Sequence, residues 1–145
     1  MPGHDSERQK HQHTELVACG LILRRSARGG PLWLLLKAAK HREWGFPKGH
    51  QDDGESVIET ALRECAEECG IGLVAIDGPA LELHYAVPNG RQKRTVYFPA
   101  ITACSDVTLS REHVSAKWFD ADGVMKHLPH PNIRALFRAS LHAIR

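Results

Sequence analysis

The stretch from residue 55 to residue 70 constrains this chain most. Between Glu55 and Cys69, apolar side chains recur at Val57, Ile58, Ala61, Leu62, Cys65 and Cys69, the i, i+3, i+4, i+7 spacing of a helix with one buried face. Gly70 stands where a left-handed cap belongs. At about 100° per residue, with Ile58 at zero, Leu62, Cys65 and Cys69 fall within about 40°, whereas Glu64, Glu67 and Glu68 fall near 240°, 180° and 280°. The acids are therefore expected on the face turned away from the core. Glu64 and Glu68 are neighbours at i+4, Glu67 flanks them, and carboxylates this close repel one another unless a cation lies among them. Arg63 is four residues from both Glu59 and Glu67, so it can pair with those two and leave the remaining acids for an ion. Taken alone, a glutamate pair on a surface helix is more often simply a solvated acidic face.

The remainder reads as strands and one more helix. Leu16 to Leu23 and Leu32 to Ala38 are apolar runs joined by a charged loop, Arg24 to Pro31, with a Gly-Gly turn. Further strands are expected at Leu81 to Val87, at Thr95 to Ala103 after the turn Pro88-Asn89-Gly90, and at Val114 to Phe119. Pro99 inside the fourth run predicts an edge or a bulge. Ile133, Leu136, Phe137, Leu141 and Ile144 give helical spacing over Asn132 to Ile144. Strands on both sides of a central helix, closed by a second helix, indicate an α/β or α+β sandwich.

A chain of 145 residues has the length of one domain. Residues 1–13, which include His4, His11 and His13, are expected to be a disordered polar tail, and 14–145 the folded domain. The formal net charge of +2 is too even for generic binding of nucleic acid or a membrane surface, so phosphate handling has to come from local clustering. Apolar stretches are far too short to span a bilayer, and the start lacks a secretory-type apolar segment. Cys19, Cys65, Cys69 and Cys104 show no metal-type spacing and are expected to be reduced and buried, in a cytoplasmic protein.

Chemistry concentrates where the loop Trp44-Gly45-Phe46-Pro47-Lys48-Gly49-His50 meets the acidic helix. Oxygen-only ligands suit Mg²⁺ or Mn²⁺, which keep waters and share their shell with substrate phosphates. Gly49, five residues, Glu55, seven residues, Arg63-Glu64-Cys65, one residue, Glu67-Glu68, one residue, Gly70-Ile71 matches the Nudix box at every defined position. The chain thus resembles the Nudix hydrolase family over about Thr14 to Ile144.

That resemblance implies an α/β/α sandwich around a central mixed sheet and a divalent-metal-dependent pyrophosphohydrolase using metal-activated water. Carried over by position, Glu64 and Glu68 are the main metal ligands, with Glu67 and the Gly49 carbonyl completing or sharing the shell, and Arg63 orients the glutamates together with Glu55. The loop before the box, His84-Tyr85 ahead of a basic turn, and Arg111-Glu112-His113 ahead of Trp118 resemble the asymmetrical diadenosine tetraphosphate hydrolases, which release ATP and AMP. This similarity implies a small nucleotide substrate for a monomer or homodimer, without a stable nucleic-acid or membrane partner. Lys48 and Arg94 are then candidate phosphate-binding cations, and Tyr85 is an adenine platform or simply a rim aromatic. Glu112 is a candidate for assisting deprotonation of the attacking water, and His113 for contacting phosphate or relaying a proton. Phe119 and Phe137 are second adenine platforms or core. Some members place histidines just before the tryptophan, where this chain has Arg42-Glu43. A diphosphoinositol polyphosphate or RNA 5′-end pyrophosphohydrolase, and a nucleotide-sensing module that does not hydrolyse, are the alternatives.

Overall fold

The structure, a computed structural model, describes residues 15–143. In chain order the elements are β1 (Glu15–Ala27), β2 (Gly30–Ala38), β3 (Trp44–Gly45), β4 (Lys48–His50), α1 (Val57–Cys69), β5 (Ala75–Ile76), β6 (Leu81–Ala86), β7 (Gln92–Ile101), β8 (His113–Phe119), α2 (Ala121–His127) and α3 (Pro131–His142). The expected tail falls outside the described residues, as does Ile144. Among the described residues no helix is long and apolar enough to cross a membrane.

Alternation along the central strands assigns the two layers. On β1, Cys19, Leu21 and Leu23 join Leu34, Leu36, Val96, Phe98 and Ala100 in a core closed by Ala61, Cys65 and Cys69 of α1. The intervening Ile22, Trp33, Leu35 and Tyr97 pack instead with Val124, Leu128, Ile133, Leu136 and Phe137 from α2, α3 and their link. One mixed sheet between helices on both faces is an α/β/α sandwich. Its order is β3-β2-β1-β7-β5, with β4 also on β1, β6 on β7 and β8 on β2. Among the described strands only β1 and β7 run parallel, over Glu15↔Gln92 to Arg24↔Ile101.

β1 serves two partners on one side. Its far end, Arg24 to Ala27, pairs with β2, while Ala18, Cys19 and Gly20 pair with His50, Gly49 and Lys48 of β4. This exchange brings the residues before the acidic helix onto the sheet, beside the helix they introduce. α1 starts at Ser56, whose side chain accepts from Glu59 N–H while Glu59 accepts from Ser56 N–H, and ends at Gly70 with φ 74°. These are a capping box and a left-handed cap.

Several expectations need correction. Most of the expected loop Arg24 to Pro31 is strand, because β1 and β2 continue pairing to Ala27↔Gly30. Pro99 lies at neither an edge nor a bulge: β7 is internal, and Pro99 sits opposite the break between β5 and β6, where its missing N–H costs no ladder bond on that side. The short β3, β4, β5 and α2 carry too few residues to show a period. Ile58, set at the centre of the buried face, is 43% exposed. The last helix begins at Pro131 and follows the expected apolar spacing, with Phe137 fully buried and edge-on to Trp33 at 5.2 Å between ring centres. Replacing Phe137 by Ala should therefore cost about 3–5 kcal/mol in urea unfolding, as a cavity left in a close-packed layer does; a loss below about 1 kcal/mol would mean that this layer collapses freely.

Candidate active site

The burial pattern of α1 differs from the helical wheel centred on Ile58. Thr60, Ala61, Cys65, Glu68 and Cys69 are the buried positions, so the buried face is rotated toward Glu64 and Glu68. Glu68 is only 6% exposed, and the Glu64 side chain 15%, whereas Glu67 at 59% faces water. The acids thus do not share one outward face. The cause is β4: it lies on β1 beside α1, and the helix packs against it with two carboxylates at the contact.

Gly49 is where that contact is tightest. A Cβ there would lie 2.0 Å from the Glu64 carboxylate carbon and 2.1 Å from one of its oxygens, so only glycine lets the carboxylate rest against the β4 backbone. One residue earlier, Lys48 N–H donates to Glu68 Oε1 at 2.8 Å.

Arg63 organises the remaining acids. Its Nε and Nη2 donate to the two oxygens of Glu55 at 2.7 and 2.9 Å, a bidentate pair. Nη1 donates to Glu64 Oε1 at 2.8 Å and Glu67 Oε2 at 3.1 Å, and Nη2 donates to the His50 carbonyl at 3.0 Å. Asp52 stands 3.4 Å away. The guanidinium, with the Asp52 N–H, holds the Glu55 carboxyl down at about 2. Glu59 is not a partner of Arg63, contrary to the i+4 expectation, because the capping box with Ser56 occupies it.

Glu68 is the exception among these carboxylates. Burial pushes its pKa up to about 7, with the charges of Glu64 and Glu112 adding to the rise and the Lys48 N–H and ammonium opposing it. A buried carboxylate that accepts one backbone hydrogen bond while facing two further acids is a locus of uncompensated negative charge. That is the chemistry a hard divalent cation fits. Among the described residues no three His, Cys, Asp or Glu side chains are already gathered as a protein cage. The donor set therefore suits an ion that completes its shell with water and substrate oxygens.

Beside Glu68 opens a cavity of about 690 Å³ whose walls include Leu36, Phe46, Leu83, Tyr85, Tyr97 and Ile133. Lys48, Glu68 and His113 are among its polar lining groups. His113 Nε2 lies 3.7 Å from Glu68 Oε2, and its Nδ1 is buried without a hydrogen-bond partner. Burial lowers the pKa of both Lys48 and His113, and the neighbouring ammonium of Lys93 lowers Lys48 further.

The structure thus brings Lys48, Gly49, Glu64, Glu68 and His113 together, and ties Glu67 to them through Arg63. Glu112 is exposed; its carbonyl accepts from Ala39 N–H at 2.8 Å, and its charge acts on Glu68, His50 and His113. Tyr85 lines the cavity. Arg94 is placed elsewhere: it shares the face of β7 that carries Val96 and Phe98, and Nη1 meets Glu82 at 3.3 Å. Its Nε reaches no hydrogen-bond partner, the approach to Glu15 being 3.7 Å. Lys93 turns to the cavity side instead, with Nζ 5.8 Å from the centre of the Tyr85 ring directly across the β6–β7 ladder. Period-2 alternation puts Lys93 on the Tyr97 face of β7, but the sheet decides that this is the face bordering the cavity. Phe137 and Phe119 do not line the cavity; Phe119 stacks on His127 at 4.3 Å.

An acidic helix packed through a glycine strand onto a mixed sheet, with the box residues in contact, defines the class: the chain belongs to the Nudix family and is a Nudix hydrolase. The NUDIX domain model matches residues 14–140. The chain is 39% identical over 119 residues to the asymmetrical bis(5′-nucleosyl)-tetraphosphatase of Rattus norvegicus, and 40% identical over 119 residues to that of Sus scrofa; each alignment spans 74% of this chain and 80% of the relative. The solved C. elegans Ap4A hydrolase binary complex superposes with a TM-score of 0.79 at 32% identity, covering 89% of this chain and 99% of the other.

Two outcomes follow for this site. In metal-free protein the Glu68 pKa lies above its ordinary value of 4.5, so its contribution to stability is present below pH 4.5 and is lost as pH rises through about 7. Glu68→Gln should hence unfold in urea with EDTA at pH 8 on the order of 2 kcal/mol later than the unsubstituted protein, and alongside it at pH 4.5. Equal stability at both pH values would count against the burial argument. Gly49→Ala should push the Glu64 carboxylate away and lower kcat/KM by at least about 100-fold with the thermal midpoint shifted by only a few degrees; near-normal turnover would show that the Gly49–Glu64 contact is dispensable.

Proposed function

We propose that this Nudix hydrolase cleaves diadenosine tetraphosphate, or a close dinucleoside polyphosphate, to ATP and AMP. The observation that carries this reading is the single cavity in which an aromatic and aliphatic wall containing Tyr85 adjoins Lys48, Glu68 and His113. Such a cavity takes a flat base and a phosphate chain together. The similarity to proteins named as asymmetrical tetraphosphatases supports the same substrate class.

The residues divide the work as follows. Tyr85 offers a stacking face, a contact worth about 1–3 kcal/mol per base. Lys48 and Lys93 bring positive charge to the phosphates, and the buried Nδ1 of His113 gives a polar group still to be satisfied. Arg63 clamps Glu55, Glu64 and Glu67, so the acids are held in place before substrate arrives. Glu112, exposed but electrically close to Glu68, is the carboxylate suited to take a proton from the attacking water. Glu64, Glu67, Glu68 and the Gly49 carbonyl are the groups that would hold Mg²⁺ or Mn²⁺, which when bound supplies neutralisation of phosphate charge and acidification of water. Arg94, paired with Glu82 on the opposite face of β7, has no part in this reading. The reading extends to a cytoplasmic protein acting as monomer or homodimer on a free nucleotide.

The test is product analysis in ¹⁸O-labelled water with diadenosine tetraphosphate and Mg²⁺. ATP and AMP are expected, with the label in AMP, as water attack on the fourth phosphate requires. Two ADP, or no turnover, would refute the assignment.

A further inference from the structure

The rim of the cavity carries a polar cluster that the reading above does not use. His41 and Glu43, from the loop between β2 and β3, meet His130, from the link between α2 and α3, and all three line the cavity. Glu43 Oε2 lies 3.4 Å from His130 Nε2 and 3.8 Å from His41 Nδ1. The second approach is too long for a hydrogen bond, and His41 Nδ1 instead accepts the Glu43 backbone N–H at 3.2 Å. The first is longer than a normal hydrogen bond. The Glu43 carboxylate, 44% exposed on its side chain, thus keeps acceptor capacity open to the cavity mouth.

The loop is built to hold this arrangement. Between His41 and Glu43, Arg42 adopts φ 64°, one of only two non-glycine residues with positive φ among the described residues. A left-handed conformation at a side-chain-bearing residue costs free energy and persists only where the surroundings impose it. Here the turn is closed by Ala38 N–H to the Glu43 carbonyl at 3.0 Å and Arg42 N–H to the Ala38 carbonyl at 3.1 Å. It is then tied to the Glu112 carbonyl through Ala39 N–H. His41 and His113 line the same cavity, so the rim adjoins the end where Glu68 stands.

A substrate group leaving the phosphate-binding end along this wall therefore meets a fixed acceptor of negative charge. A phosphate there is repelled, whereas an uncharged group bearing hydroxyl or amino donors is accepted. We propose that Glu43 is a specificity-determining residue that makes the cavity mouth select a polyphosphate capped by a nucleoside over one that ends in free phosphate. This rests on the reading of a dinucleoside polyphosphate substrate and names the feature that enforces the second cap. Discrimination of this kind works by penalising the wrong partner as much as by holding the right one.

The experiment compares kcat/KM for diadenosine tetraphosphate and for adenosine 5′-tetraphosphate, which differ by one nucleoside, in Mg²⁺ at fixed ionic strength. Glu43→Gln should raise the ratio in favour of the uncapped substrate by about tenfold, mainly through KM, and Glu43→Lys by more, about 100-fold. Glu43→Asp, which keeps the charge, should stay within about threefold of the unsubstituted ratio. A ratio unchanged in both Glu43→Gln and Glu43→Lys overturns the proposal while leaving the function intact. Failure of the unsubstituted enzyme to turn over either compound removes the function and this proposal together.

Discussion

The guanidinium of Arg63 is the interaction on which the acidic site depends. Glu55, Glu64 and Glu67 approach one another across a loop and two helical turns, and like charges at such spacing destabilise a helix. One planar donor fork satisfies all three and also ties the helix to the His50 carbonyl at the end of β4. Lysine, with a compact charge and no fork, could not replace this geometry. Yet Arg63 contributes a single positive charge. With Lys48 beside Glu68, two cations face four carboxylates, and the balance stays negative near Glu68, where burial is greatest.

The rest of the fold puts that negative locus beside a cavity. Because the sheet has helices on both faces, α1 can pack its acids against β4 on one side while residues of β6 and β7 and the α2–α3 link wall the cavity on the other. β4 connects the two: Gly49 meets Glu64, and Lys48 both donates its N–H to Glu68 and lines the cavity. Three consecutive residues on a strand that pairs with β1 at Ala18 to Gly20 thus couple the acidic helix to the apolar wall. The glycine and the sheet ladder, rather than flexible side chains, set the distance between them.

Much of this was legible in the sequence because it depends on local spacing. The Gly70 cap, the apolar face of the last helix and the main strands follow from period and punctuation within about fifteen residues, whereas the box from Gly49 to Ile71 is legible as a family resemblance. What escaped depends on tertiary placement. The wheel centred on Ile58 put all three acids outward, since nothing in α1 itself reveals that β4 will lie along Glu64 and Glu68. Arg94 looked the better cation than Lys93, because which face of β7 borders the cavity is decided by the sheet. The rim cluster was invisible for the same reason: His130 is far from Glu43 in sequence, and only packing of the α2–α3 link beside β3 joins them.

Glu68 is a buried carboxylate among the residues that would hold a divalent ion, and burial pushes its pKa up to about 7 when no ion is present. Proton release on metal binding reads this directly, because a ligand must lose its proton to bind. Calorimetric titration of Mn²⁺ into the metal-free protein, repeated in buffers of different ionisation enthalpy, should show most of a proton released per ion at pH 6 and almost none at pH 8.5. Glu68→Gln should lose that pH-dependent release. Binding that releases the same number of protons with and without the Glu68 carboxylate would show that Glu68 is not the group the ion deprotonates.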